Sequence, residues 1–123
     1  MLAQTILIVK DDRSFGQLLV HLVIKKTPHQ PVLISTGSEA VKIYRKINPR
    51  LLLLDYRLPD TNGIVLYDQL CALPEASTCP AIIVSAELPE NKLEQQLKER
   101  DIIGFDTTFD MDDLVRTIEM LLT

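Results

Sequence analysis

The sequence predicts a doubly wound α/β domain, a parallel sheet with helices on both faces, and three observations lead there. Four apolar runs of strand length, at residues 5–9 (TILIV), 31–35 (PVLIS), 51–54 (LLLL) and 80–84 (PAIIV), lack the alternation of a half-exposed strand. Such runs suit strands covered on both faces. Between them lie segments with apolar residues at three- and four-residue spacing, joined by short connections, so strand and helix alternate along the chain. The length of 123 residues is one domain's worth, and the chain reads as a single domain over residues 1–123.

The first strand, 5–9, is followed by Phe15, Leu18, Leu19, Leu22 and Val23 at helical spacing, ended by Pro28 and Pro31. Asp12, just ahead of that run, reads as its N-cap. After the second strand, 31–35, Ala40, Ile43, Tyr44 and Ile47 define a helix between the N-cap-like Ser38 and the stop at Pro49. The third strand, 51–54, leads through Asn62 and Gly63, read as a turn needing positive φ, into a helix over 64–73. The fourth strand precedes a helix over 90–100. A fifth strand near 102–107 carries less signal, because Gly104 and Asp106 interrupt it. The last helix, 110–122, opens on Asp110 with two more acids in its first turn, as the helix dipole favours. His21 falls in the first helix's apolar pattern and reads as core; His29, between two prolines, reads as loop.

Composition narrows the function. Hydrophobic content of 46% and charged content of 24% match an ordinary globular chain. A net charge of −4 gives no general reason to bind nucleic acid. The charge is uneven: residues 1–50 carry eight basic and three acidic side chains, residues 51–123 five and fourteen. No apolar run approaches the ~18 residues of a membrane span, and residues 1–9 lack a basic leader and cleavage site, so a cytoplasmic location is expected. Cys71 and Cys79 show no metal-ligand spacing and are expected to be free thiols.

In an open parallel sheet, ligands bind beyond the carboxyl ends of the strands, where strand order reverses. Past the first strand stand Lys10, Asp11 and Asp12; past the third, Asp55 and then YRLPDTNG. Past the fourth come Ser85 and Ala86, and past the fifth Thr107 and Thr108. If the first, third and fourth strands are neighbours about 4.8 Å apart, Asp11, Asp55 and Ser85 converge. Two carboxylates and a hydroxyl suit Mg²⁺ better than zinc. An aspartate beside such an ion can attack phosphorus to give an acyl phosphate, the metal relieving charge repulsion. Ser85 could then donate a hydrogen bond to a phosphoryl oxygen.

The segments ILIVKDD, LLLLDYRLPDTNG, IIVSAE and FDMDDL, in this order and spacing, resemble the signature blocks of response-regulator receiver domains, over essentially the whole chain. The resemblance implies a flavodoxin-like five-stranded sheet of order 2-1-3-4-5 with five helices. It implies Asp55 as the phosphoacceptor, taking its phosphoryl group from a histidine kinase or phosphotransfer protein. Asp11 would bind Mg²⁺ together with Asp55 and the carbonyl of Arg57, with Asp12 in support. Ser85 would sense the phosphoryl group and Phe105 would be the aromatic switch. The implied output is protein contact, with a downstream protein or a fused output domain; direct nucleic-acid or membrane binding is not implied. Chemistry would be limited to self-phosphorylation and self-dephosphorylation at Asp55, without an external substrate.

Two departures stand out. Lys10 replaces the acid with which the family opens its cluster, taking the three-residue cluster from −3 to −1, so Mg²⁺ is expected to bind weakly. The family's fifth strand ends in Lys-Pro, whereas here Thr108 stands at the usual lysine position, beside Thr107, and no lysine follows Lys98. Lys10, on the neighbouring strand end, is the residue that would offer a replacement charge. The alternative function is a pseudo-receiver, an interaction module that works without phosphorylation. A phosphatase of the haloacid-dehalogenase type would need a second acid where Arg57 stands. A flavodoxin-type electron carrier would want a phosphate loop where Asp11 and Asp12 would repel the flavin phosphate.

Overall fold

The structure, a computed structural model, describes residues 3–74, 79–85 and 91–123, excluding the side chains of 91 and 92. Ala86, Glu87 and Glu90, which the sequence reading drew on, lie outside the described residues, as do residues 1 and 2. The elements are β1 (Thr5–Val9), α1 (Arg13–Lys26), β2 (Gln30–Ile34), α2 (Gly37–Ile47) and β3 (Leu51–Leu54). They continue with α3 (Gly63–Cys71), β4 (Ala81–Ser85), α4 (Asn91–Glu99), β5 (Ile103–Asp106) and α5 (Met111–Leu122). All strand pairs are parallel, in the order β2-β1-β3-β4-β5. This is the doubly wound, flavodoxin-like architecture expected. The bounds of β2, β4 and β5 differ by one residue from the runs read at 31–35, 80–84 and 102–107.

The continuous apolar runs are explained by two cores, one on each face. Leu7, Val9, Leu52, Leu54, Ala81 and Ile83 point toward α2, α3 and α4, meeting Ala40, Tyr44, Leu66, Leu70 and Leu97. Their alternating neighbours, Ile6, Ile8, Leu51, Leu53, Ile82 and Val84, point toward α1 and α5, meeting Leu19, Leu22, Leu114 and Ile118. Every side chain of β3 is therefore buried, each leucine contributing roughly 1.5–3 kcal/mol of burial free energy. The two cysteines are free thiols, Cys79 buried against the Tyr44 hydroxyl at 3.3 Å. No helix among the described residues is long and apolar enough to cross a membrane.

Several local expectations are met and others corrected. Asp12 caps α1, accepting from the Phe15 N–H at 3.2 Å, and Asp110 caps α5. The N-cap of α2 is Thr36, not Ser38: the Gly37 and Ser38 N–H groups are bound instead by Asp60, at 2.9 and 2.8 Å. Asn62 is an N-cap with φ of −132°, and no glycine has positive φ, so no left-handed turn precedes α3. Gly63 serves close approach: a Cβ there would lie 2.6 Å from the Asp55 carbonyl oxygen. His21 is exposed rather than core. His29 is buried, its Nδ1 accepting from the Gln4 N–H at 3.1 Å and its Nε2 lying 3.2 Å from Glu119 Oε1.

Candidate functional site

The pocket at the carboxyl ends of the strands follows from register. Val9 pairs with Leu54 and Leu54 with Ile83. The ladder runs one step further, with the Asp55 N–H donating to the Val9 carbonyl at 2.8 Å and the Lys10 N–H to the Ile34 carbonyl at 3.0 Å. Because side chains alternate along a strand, Lys10 and Asp55 both turn to the face opposite Val9 and Leu54, the α1/α5 face. Both are buried, Lys10 to 5% exposure and Asp55 to 9%.

The Lys10 ammonium is held on three sides. It lies 3.3 Å from Asp55 Oδ2, donates to the Val84 carbonyl at 3.0 Å, and sits 4.4 Å above the centre of the Phe15 ring. The Phe15 ring meets Phe109 edge-on at 6.1 Å, and Phe109 meets Phe105 edge-on at 6.2 Å. A continuous line of contacts thus joins the Asp55 carboxylate to Phe105 on β5. Lys10, Asp12, Phe15, Asp55, Arg57, Ser85 and Thr107 line a cavity of about 290 Å³ open to solvent.

Of the residues singled out in the sequence, the structure brings Asp12, Asp55, Arg57 and Ser85 to this cavity. Ser85 is the last residue of β4 and buried. Asp11 does not join them; it lines an adjoining cleft between α1, β2 and α2 with Arg13, Gln17, Ser35 and Glu39, and Lys10 borders both spaces. Thr107, rather than Thr108, reaches the cavity from β5. Thr108 folds back on Asp106, whose Oδ1 accepts from both its N–H, at 2.8 Å, and its hydroxyl. Those bonds, the hydroxyl's foremost, hold the Asp106 carboxyl below its usual range. Motif reading offered Lys10 only as a replacement charge for the β5 lysine, and it did not bring Phe15 or Phe109 to the site. Strand parity was the available signal, since Lys10 and Asp55 each follow the last residue of adjacent strands.

These residues do not fit a divalent cation well. Asp12 and Asp55 are the carboxylates that line the cavity, and among the described residues no third Asp, Glu, His or Cys side chain gathers with them. One oxygen of Asp55, Oδ2, already faces the Lys10 ammonium at 3.3 Å, and that positive charge opposes a divalent ion.

Fold and pocket together define a doubly wound α/β domain with a charged ligand cavity at its switch point. The chain belongs to the response regulator receiver domain family, whose model matches residues 6–119. It is 35% identical over 85 residues to the transcriptional regulatory protein BaeR of Escherichia coli, covering 69% of this chain and 34% of that protein. It is 28% identical over 123 residues to sporulation initiation phosphotransferase F of Bacillus subtilis, covering 99% and 96%. The chain thus spans about a third of the length of BaeR but nearly all of the second relative.

Among solved structures, a receiver domain from Methylobacillus flagellatus superposes with a TM-score of 0.82 at 22% identity, covering 98% of this chain and 99% of that one. The receiver domain of a sensor histidine kinase from Pseudomonas aeruginosa gives 0.84 at 20%, covering 98% of each; its active-site cleft coordinates a magnesium ion. Receiver domains work in phosphorelay signalling with histidine kinases or phosphotransfer proteins, and are not enzymes acting on external substrates.

Proposed function

We propose that this domain receives a phosphoryl group on Asp55 from a histidine kinase or phosphotransfer protein and passes the signal on through protein contacts. The observation that carries this is the placement of Asp55: a largely buried carboxylate at the end of β3, open to a cavity and faced by a cation. The ammonium engages Oδ2, so Oδ1 is assigned as the attacking oxygen. A bond forms from Oδ1 to phosphorus while the bond from phosphorus to the donor breaks, its electron pair leaving with the donor. An acyl phosphate donor departs as its carboxylate; a phosphohistidine departs as imidazole after taking up a proton from solvent. Ser85 donates to a phosphoryl oxygen. Occupancy of Asp55 is relayed through Lys10, Phe15 and Phe109 to Phe105, the switch position on β5. Mg²⁺ would reach Asp55 only against the Lys10 ammonium.

The test is acyl-phosphate labelling read by intact mass and peptide mapping. Asp55→Asn is expected to abolish the added phosphoryl group, and a label persisting in Asp55→Asn overturns the assignment. A second reading, the phosphorylation-independent module, is favoured by the same ion pair, because a neutralised acceptor needs no phosphoryl group to hold the pocket in one state. Absence of label from kinase and small-molecule donors alike selects it.

A further inference from the structure

We infer that Lys10 is the resident cation of this pocket, a tethered ammonium that takes the charge-neutralising role toward the phosphoryl group. On this inference neither a divalent ion nor a lysine at the end of β5 is required for that role. The inference rests on Asp55 being the acceptor. Phosphoryl transfer brings a doubly charged group onto a carboxylate, and the repulsion has to be met by positive charge in place beforehand.

The charged residues lining the cavity are Lys10, Asp12, Asp55 and Arg57. Arg57 is exposed, whereas the Lys10 ammonium is buried against the carboxylate itself. From β5 the cavity receives a hydroxyl-bearing residue, Thr107, and no base.

The anchoring of Lys10 favours a working cation over a plug. An ammonium carries three N–H donors. One is committed to the Val84 carbonyl at 3.0 Å, fixing the head group to the end of β4 independently of Asp55. The Phe15 ring supports it from below, a contact that favours a cation. When negative charge moves from the carboxylate onto phosphoryl oxygens, the ammonium therefore stays at the strand ends and can turn its remaining donors toward them. Lys10 is a catalytic residue in this scheme, since it touches the reacting carboxylate.

The experiment compares wild type, Lys10→Met and Lys10→Gln for acetyl phosphate labelling of Asp55, each in excess EDTA and in Mg²⁺. Lys10→Gln keeps a donor for Val84 without the charge, and circular dichroism and a thermal melt establish that each variant is folded. The wild type is expected to label in EDTA within about tenfold of its rate in Mg²⁺. Both neutral variants are expected to slow about 10- to 100-fold in EDTA, the size of one charge-assisted hydrogen bond, and to recover with Mg²⁺. Wild type labelled only in Mg²⁺, or neutral variants labelled as fast as wild type or faster in EDTA, overturns the role of Lys10 while leaving Asp55 the acceptor. No label in any protein under either condition overturns both.

Discussion

Two close acid–base pairs lie at opposite ends of this sheet, each on a buried base, and their separations are nearly the same. At the carboxyl ends the Lys10 ammonium is 3.3 Å from Asp55 Oδ2; at the amino ends His29 Nε2 is 3.2 Å from Glu119 Oε1. Their surroundings differ. The first pair faces an open cavity where strand ends converge and a buried hydroxyl, Ser85, is in reach. The second bridges separate pieces of chain, because His29 also accepts from the Gln4 N–H and Glu119 belongs to α5. The cavity at that end, bordered by Gln4, Arg50, Cys79 and Leu122, is lined by neither His29 nor Glu119. A close acid–base pair is thus a candidate site because of what can enter beside it, and separation alone does not distinguish chemistry from architecture.

Substitutions at each end sharpen the contrast. The largest stability effect is expected from Gly63→Ala, whose Cβ would meet the Asp55 carbonyl oxygen at 2.6 Å and Ile83 Cδ1 at 3.1 Å. Backbone must move to admit it, at a cost of about 1–3 kcal/mol in chemical denaturation. Because that backbone carries Asp55, labelling should slow as well. His29→Leu is expected to cost about 1–2 kcal/mol by leaving the Gln4 N–H without its acceptor, yet to leave the labelling rate at Asp55 unchanged. A change in that rate would break the separation between the two ends.

The smallest effect concerns Asp60. The N–H groups of Gly37 first and Ser38 second hold its carboxyl below the ordinary value. A depressed carboxylate contributes stability above the unfolded-state value of about 4 and loses it as pH falls through the folded-state value. Asp60→Asn should therefore be slightly less stable than wild type at neutral pH and converge with it on acidification. A gap that widens in acid would contradict the bonding described.

The fold was legible because β1, β3 and β4 are buried on both faces, which leaves uninterrupted apolar runs with clear ends. β2 and β5 lie at the sheet edges, where partial exposure admits Gln30, Gly104 and Asp106 and blurs the pattern. The local misreadings share a cause: partners distant in sequence. Asp60 claims the α2 N–H groups from 22 and 23 residues away, so Ser38 is not the cap. Glu119 comes from the far end of the chain to bury His29. Gly63 looks like a turn residue until the Asp55 carbonyl is placed against it.

At the site, the motif located Asp55 and Ser85 but grouped Asp11 with them. Alternation along β1 instead puts Lys10 on the same face as Asp55 and sends Asp11 to the adjoining cleft, which Lys10 also borders. The β5 departure was visible as a missing lysine. Lys10 was visible as the residue that could replace its charge from the neighbouring strand end, and register adds that the β1 and β3 ends are adjacent, which sets the ammonium against Asp55.

The most direct measurement is a crystal structure of the protein with a beryllofluoride group on Asp55, grown with Mg²⁺ present. The expected result is the Lys10 ammonium still bonded to the Val84 carbonyl and within about 3 Å of a fluoride. A Lys10 side chain turned out to solvent, with a metal ion at Asp55 in the ammonium's place, would contradict the role assigned to it.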